Sequence, residues 1–251
     1  MIIHQQSKRT ITITTAVMNR SDRVHKCVSS WIDRPEIDEY ILVDWSSKLP
    51  LYEQSDLKHI ISHPKLKLIR VEDEPYYLTS SLPYNLAWLN ATSEIVLRVD
   101  IDIVLTDPTF FDYISGMDRY SFIQCGDHKW PELCGVCAIP LYGLHLVNGY
   151  NEYFRGWGYE DNDLYERLIN KGFNQQIISD PNSMLYHIPH GNDLRAANLP
   201  AELQDKDFTC ISNSKRLETG RLYGYRLISK HDNYTVVRRV KNDLDPVGVL
   251  T

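Results

Sequence analysis

Glu94-Ile-Val-Leu-Arg-Val-Asp100-Ile-Asp102 is an apolar run of strand length that ends in two acids. Three similar runs precede it. Thr10-Ile-Thr-Ile-Thr-Thr-Ala-Val17 is β-branched and alternating, Glu39-Tyr-Ile-Leu-Val-Asp44 also ends in an acid, and Leu66-Lys-Leu-Ile-Arg-Val71 is the third. Helix patterns interrupt them. Ser21 to Ile32 sets Val24, Cys27, Val28 and Trp31 at helical spacing, and Ser80 to Ala91 is the second helix. This alternation predicts an α/β fold, with a mostly parallel central sheet and flanking helices. Ligands of such open sheets bind beyond the carboxyl ends of the strands, where Asp44 and Asp100 fall.

The second half is less regular. Arg119 to Cys125 and Cys134 to Ile139 read as strands, and Met184 to Ile188 as another. Glu160 to Lys171 reads as a helix stopped by Gly172. Beyond Pro200 the chain turns polar. No repeat or clear linker divides it, so the expected organisation is one domain over residues 1–195 with a C-terminal extension over 196–251.

With 251 residues the chain is long enough for one or two domains and a sizeable core. Its 33 acids against 27 bases leave a net charge of −6, which argues against nucleic acid as a partner and against a polybasic membrane-binding surface. Met1 to Lys8 has no signal-like apolar core, and no run approaches the length of a membrane span. Cys27, Cys125, Cys134, Cys137 and Cys210 are odd in number and scattered, which favours a reducing, cytoplasmic setting. Cys134-Gly-Val-Cys137 has no second pair to complete a zinc site and reads as buried thiols.

Three motifs carry chemistry. If the fourth strand continues, Asp100 and Asp102 share one face and can approach a hard divalent cation; a polar strand end accounts for the same triplet. In Gly156-Trp-Gly-Tyr-Glu-Asp-Asn-Asp163 the acids open a helix, which the helix dipole alone explains. A large aromatic between two glycines is not explained that way. It points to a mobile flap beside a carboxylate pair, one acid acting as general base and the other holding a sugar hydroxyl. His187 and His190 follow a short apolar run at a spacing that fits no zinc motif. They read either as hydrogen-bonded structural residues or as ligands partnered by Asp102, a mixed set that suits manganese better than magnesium.

Together these segments resemble metal-dependent glycosyltransferases of the GT-A fold, nearest to the β-1,4-galactosyltransferase family and related bacterial chondroitin-type polymerase domains. The likeness is strongest from Cys134 to Leu168, through Gly135-Val136, Ala138, Asn148-Gly149, Gly156-Trp-Gly158, Glu160-Asp161 and Asp163. It weakens upstream through Asn19-Arg20, Asn85 and Asp100-Ile-Asp102, and covers about residues 10 to 195. Arg155, Tyr159 and His190 depart from the family pattern and bear on donor and acceptor choice more than on reaction class.

The resemblance implies an inverting, metal-dependent glycosyltransferase that moves a sugar from a nucleotide sugar, a UDP-sugar, to a carbohydrate hydroxyl. A role in polysaccharide biosynthesis and peripheral association with a membrane are compatible with it. Asp161 would be the catalytic base and Glu160 would position the acceptor. Asp102 and His187 would hold Mn2+. Thr15, Ala16, Arg20, Asp44, Asn85, Asp100, Trp157 and His190 would serve the nucleotide sugar, with Asp44 at the base and Arg20 at the diphosphate. The inverting expectation rests on Asp161, because retaining polypeptide GalNAc-transferases carry Asn at that place. The rivals are a retaining transferase on the same fold, a nucleotidyltransferase using an NTP and a sugar phosphate, and a non-catalytic carbohydrate-binding module.

Overall fold

A computed structural model describes residues 9–127 and 129–241. The N-terminal stretch Met1 to Lys8 and the end of the expected extension, residues 242–251, lie outside the described residues. Eleven strands are present among the described residues: β1 (Ile11–Val17), β2 (Glu39–Trp45), β3 (Leu66–Glu72), β4 (Ile95–Arg98), β5 (Ile103–Leu105), β6 (Ser121–Gln124), β7 (Cys137–Pro140), β8 (Asn174–Ile177), β9 (Leu185–His187), β10 (Tyr223–Lys230) and β11 (Tyr234–Lys241). The helices are α1 (Ser21–Trp31), α2 (Lys58–Ile61), α3 (Ser81–Leu89), α4 (Phe110–Ser115), α5 (Leu141–Val147), α6 (Glu160–Asn170), α7 (Asn192–Ala196) and α8 (Lys206–Ser214).

Nine strands form one sheet in the order β10-β11-β3-β2-β1-β4-β7-β6-β8. Its β3-β2-β1-β4 centre is parallel, as is the β11–β3 pair, whereas β7 runs antiparallel to both β4 and β6. Every residue of β1 and β2 is buried. Strands covered on both faces need apolar or hydrogen-bonded residues at each position. The threonines of β1 meet that need: Thr12 Oγ1 donates to Glu39, and Thr15 Oγ1 pairs with the Tyr40 hydroxyl at 2.8 Å. On one face α1 buries Val24, Cys27, Val28 and Trp31, the positions its periodicity predicts. There Trp31 meets Phe110 and Phe111 edge to face. On the other face α5 and α6 pack Leu144, Leu164 and Leu168 against Val96, Phe122 and Ile139.

Two local expectations are revised. β4 stops at Arg98, so Asp100 and Asp102 lie on a turn closed by Ile103 N–H donating to the Asp100 carbonyl at 3.0 Å, rather than on a continuing strand. The strand expected from Cys134 begins only at Cys137, because Pro131–Leu133 forms a 3-10 turn just before it. The C-terminal residues join the main sheet: β10 and β11 form a hairpin, and β11 pairs in parallel with β3. Arg239 on β11 anchors this hairpin through a two-point contact with the buried Glu74.

Candidate active site

A cavity of about 530 Å³ lies at the carboxyl ends of β1 and β4, where Val17 and Met18 face the turn Asp100 to Asp102. Its polar groups fall into two sets.

The first set centres on Asp102, which is only 5% exposed. The antiparallel pairing of β5 with β9 sets Ile103 opposite His187 and so brings the histidine segment alongside Asp102. Asp102 Oδ2 lies 3.0 Å from His190 Nε2 and 3.9 Å from His187 Nε2. One ligand atom from each of Asp102, His187 and His190 fits within a 4.8 Å span. Arg20 donates Nη2 to the same carboxylate oxygen at 2.8 Å, and its Nε is buried with no hydrogen-bond partner. Burial alone would raise the Asp102 pKa; the hydrogen bond from His190 and the charges of Arg20 and His187 outweigh it and hold the group at about 2. The carboxylate is therefore ionised and ready to ligate across the physiological range. Arg20 owes its place to Asn19, which takes up a left-handed φ of 56° and holds the turn by accepting from Lys48 N–H.

The donor set fits a divalent ion. One buried carboxylate with two imidazoles is a mixed oxygen and nitrogen site, which suits manganese better than the all-oxygen preference of magnesium. His190 belongs to this set on distance as much as His187 does. The family resemblance instead implies that His190 serves the nucleotide sugar, whereas its spacing with His187 leaves a ligand role beside Asp102 open.

The second set is at the start of α6. Glu160 and Asp161 open the helix, and both line the cavity. Ser80 Oγ donates to Glu160 at 2.7 Å. Asp161 contacts Arg98, a buried arginine of β4 that also reaches Asp100 at 3.4 Å. Burial is the largest influence on Asp161 and the charges of Glu160 and Asp100 add to it; Arg98 opposes them, and the group is pushed up to about 7. Arg98 and Ser80 were not singled out from the sequence. An arginine at the end of an otherwise apolar strand run, two residues before Asp100, is the signal for Arg98.

Trp157 sits beside these acids, and α8 braces its loop. Thr209 Oγ1 donates to the Trp157 carbonyl at 2.9 Å, and Asn213 Nδ2 donates to the carbonyls of Arg155 and Gly158 at 3.1 and 2.9 Å. The Lys206 ammonium lies 3.9 Å from the centroid of the Trp157 ring. The loop expected to be a mobile flap is thus tied to a helix from the C-terminal segment. Both glycines are required by that contact. Gly156 has φ +71°, and a Cβ there would come within 2.5 Å of Thr209 Cγ2; Gly158 has φ +98°, and its Cβ would meet Cys210 Cβ at 2.9 Å. Gly156→Ala should therefore cost about 1–3 kcal/mol of stability, the range for strained backbone and overpacking. A thermal melt indistinguishable from wild type would refute that tight seating.

Ala16, Arg20, Asp100, Asp102, Trp157, Glu160, Asp161, His187 and His190 all line the cavity. Thr15, Asp44 and Asn85 do not. Thr15 is buried within β1 against Tyr40. Asp44 is fully buried opposite Arg70 in the β2–β3 register; it pairs with that guanidinium at 2.9 Å and accepts from the N–H groups of Ser47 and Leu51. Its carboxylate is committed to the fold. Asn85 is likewise consumed internally, donating to the Tyr150 carbonyl and to Glu152 and accepting from Trp88. Cys134 and Cys210 line the cavity as free thiols; Cys137 is buried.

Residues 108–191, which span α4 through β9 and His190, match the family model described as the N-terminal domain of galactosyltransferase. No curated protein sequence matches the chain significantly. Among solved structures, the catalytic domain of Drosophila β1,4-galactosyltransferase 7 in complex with xylobiose aligns with a TM-score of 0.62 at 12% identity, over 93% of this chain and 94% of that one. A mutant of the same Drosophila enzyme, in complex with manganese, UDP-Gal and xylobiose, aligns at 0.61 and 13% identity, over 97% of this chain and 100% of that one. Mannosyltransferase PcManGT from Pyrobaculum calidifontis, in complex with GDP-Man and Mn2+, aligns at 0.57 and 14% identity, over 70% of this chain and 56% of that one. The chain has the GT-A glycosyltransferase fold, and its residues 108–191 carry the sequence pattern of the galactosyltransferase family.

Proposed function

We propose that this protein is an inverting glycosyltransferase that transfers a sugar from a UDP-sugar to a carbohydrate hydroxyl. The observation that carries the reading is the meeting of two groups in one cavity. A buried carboxylate with two imidazoles lies at one part of it, and a carboxylate pair at a helix start lies at another. The structural neighbours solved with UDP-Gal, xylobiose and Mn2+ support the substrate and cofactor classes.

Asp102, His187 and His190 would hold Mn2+, which as a Lewis acid would stabilise the negative charge of the departing diphosphate. Arg20, with its unpartnered buried Nε, would meet the diphosphate oxygens and lend a second positive charge. Glu160 would accept a hydrogen bond from the acceptor sugar. Asp161 would take the proton of the attacking hydroxyl as that oxygen bonds to the anomeric carbon and the bond to the diphosphate breaks. Attack from the face opposite the leaving group inverts the anomeric configuration. Trp157 would help to shut water out.

The pH dependence follows from Asp161. A base must be deprotonated to work, so a carboxyl group held near 7 gains activity as pH rises through that region and loses it below. The rate under limiting acceptor should show an acidic limb near pH 7. A limb near the usual carboxylate range around 4 would contradict the environment described here.

The binding half of the proposal is tested by thermal shift with a panel of nucleotide sugars. UDP-sugars with Mn2+ should raise the melting temperature in step with the logarithm of concentration over Kd. The absence of a shift with every nucleotide sugar in the presence of Mn2+ would remove the reading.

A further inference from the structure

We propose that Arg98 is a positioning residue for the proposed base: its guanidinium pins one oxygen of Asp161 and leaves the other open to the acceptor. The inference rests on the transferase reading above and extends it to a residue outside the acid and histidine motifs.

The geometry is specific. Arg98 ends β4 and is only 5% exposed. Its guanidinium carbon lies 4.1 Å from the centroid of the Tyr84 ring and 5.3 Å from that of Tyr150, so two aromatic walls fix the plane of the fork. One arm, Nη1, donates to Asp161 Oδ1, and the other, Nη2, reaches Asp100 Oδ1 at 3.4 Å. Among the described residues, Asp161 Oδ2 takes part in no hydrogen bond. A carboxylate anchored through one oxygen keeps the lone pairs of the second for a proton. The Tyr84 hydroxyl also donates to Asp100 Oδ1, at 2.5 Å, so the fork spans two acids that are themselves held in place.

On the side of Gly135 the fork is closely packed. A Cβ at Gly135 would come within 2.7 Å of Asp100 Oδ2 and 3.0 Å of Arg98 Nη2. The glycine of the Gly135-Val136 motif is thereby explained as clearance for the arginine and its acid partner. A lysine at position 98 would keep a positive charge but could not offer two fixed donors in one plane.

The test compares wild type with Arg98→Lys and Arg98→Met. Turnover is measured as UDP released from UDP-galactose with Mn2+ and oligosaccharide acceptors, and UDP affinity is measured by calorimetry with Mn2+. A positioning role predicts that kcat falls by about tenfold in Arg98→Lys and further in Arg98→Met, while the Kd for UDP stays within about threefold. Should Arg98→Met fail to fold, Arg98→Lys decides alone. Unchanged kcat in Arg98→Lys, or losses of kcat and UDP affinity in equal proportion, would overturn the role. A wild-type protein that binds no UDP and turns over no UDP-sugar would instead overturn the function, and the positioning role with it.

Discussion

Replacing Asp161 with Asn should lower turnover by about 10²-fold or more, the range for loss of a general base. The substitution is nearly isosteric. An Asn carbonyl oxygen can still accept from Arg98 Nη1, so the helix start and the fork keep their arrangement. What is lost is the ability to take up a proton. The proposed metal ligands belong to different elements, so UDP affinity in the presence of Mn2+ should stay within a few-fold of wild type. The prediction is thus a split: kcat collapses and donor binding survives. It is checked by steady-state kinetics beside calorimetry on the same preparation, with a thermal melt to confirm folding. Near-normal turnover in this variant would remove Asp161 from the role of base.

Asp102→Ala should have the opposite signature, abolishing Mn2+-dependent UDP binding before any chemistry. Asp102 is the only carboxylate of the proposed ligand set and touches Arg20 as well. Loss of a residue that merely orients a ligand commonly costs about 10–100-fold in metal affinity. Loss of the carboxylate ligand itself should cost at least about 10²-fold by the same scale. It also leaves two imidazoles and a guanidinium without their shared anion. Manganese titration followed by electron paramagnetic resonance measures the effect directly. Wild-type Mn2+ affinity in Asp102→Ala would show that the ion, if it binds, is held elsewhere.

The central fold was legible because buried parallel strands leave a strong signature. Ile11–Val17 is apolar or β-branched throughout, Glu39–Trp45 is so between its two acids Glu39 and Asp44, and both strands are buried along their whole length. The edges were not legible. β8 is Asn-Gln-Gln-Ile, exposed along its whole length, and owes its strand form to pairing with β6 rather than to any pattern of its own. β10 and β11 are half-exposed, and β11 finds β3 far back in the chain. No local periodicity announces such a pairing.

The candidate site divides in the same way. Asp100 and Asp102 stood out because acids at the end of an apolar run are conspicuous, Glu160 and Asp161 because they follow a Gly-Trp-Gly segment, and all four line the cavity. Asp44 stood out as Asp100 did, yet its carboxylate is spent on Arg70 and two backbone N–H groups. A strand-end acid looks the same in sequence whether its partner is a ligand or the next strand. The link between Asp102 and the histidines depends on β5 pairing with β9, a tertiary event that the spacing of His187 and His190 does not encode. The brace on Trp157 was invisible because it comes from Thr209 and Asn213, in a polar segment without a pattern.

The most direct test of the transfer reaction is the anomeric configuration of its product. The protein, UDP-galactose and Mn2+ would be incubated with a panel of oligosaccharide acceptors, and the new linkage read from its anomeric proton by NMR. UDP-galactose is α-linked, so backside attack assisted by Asp161 predicts a β-linked product with a large axial–axial coupling. An α-linked product, with its small coupling, would show retention and contradict the account.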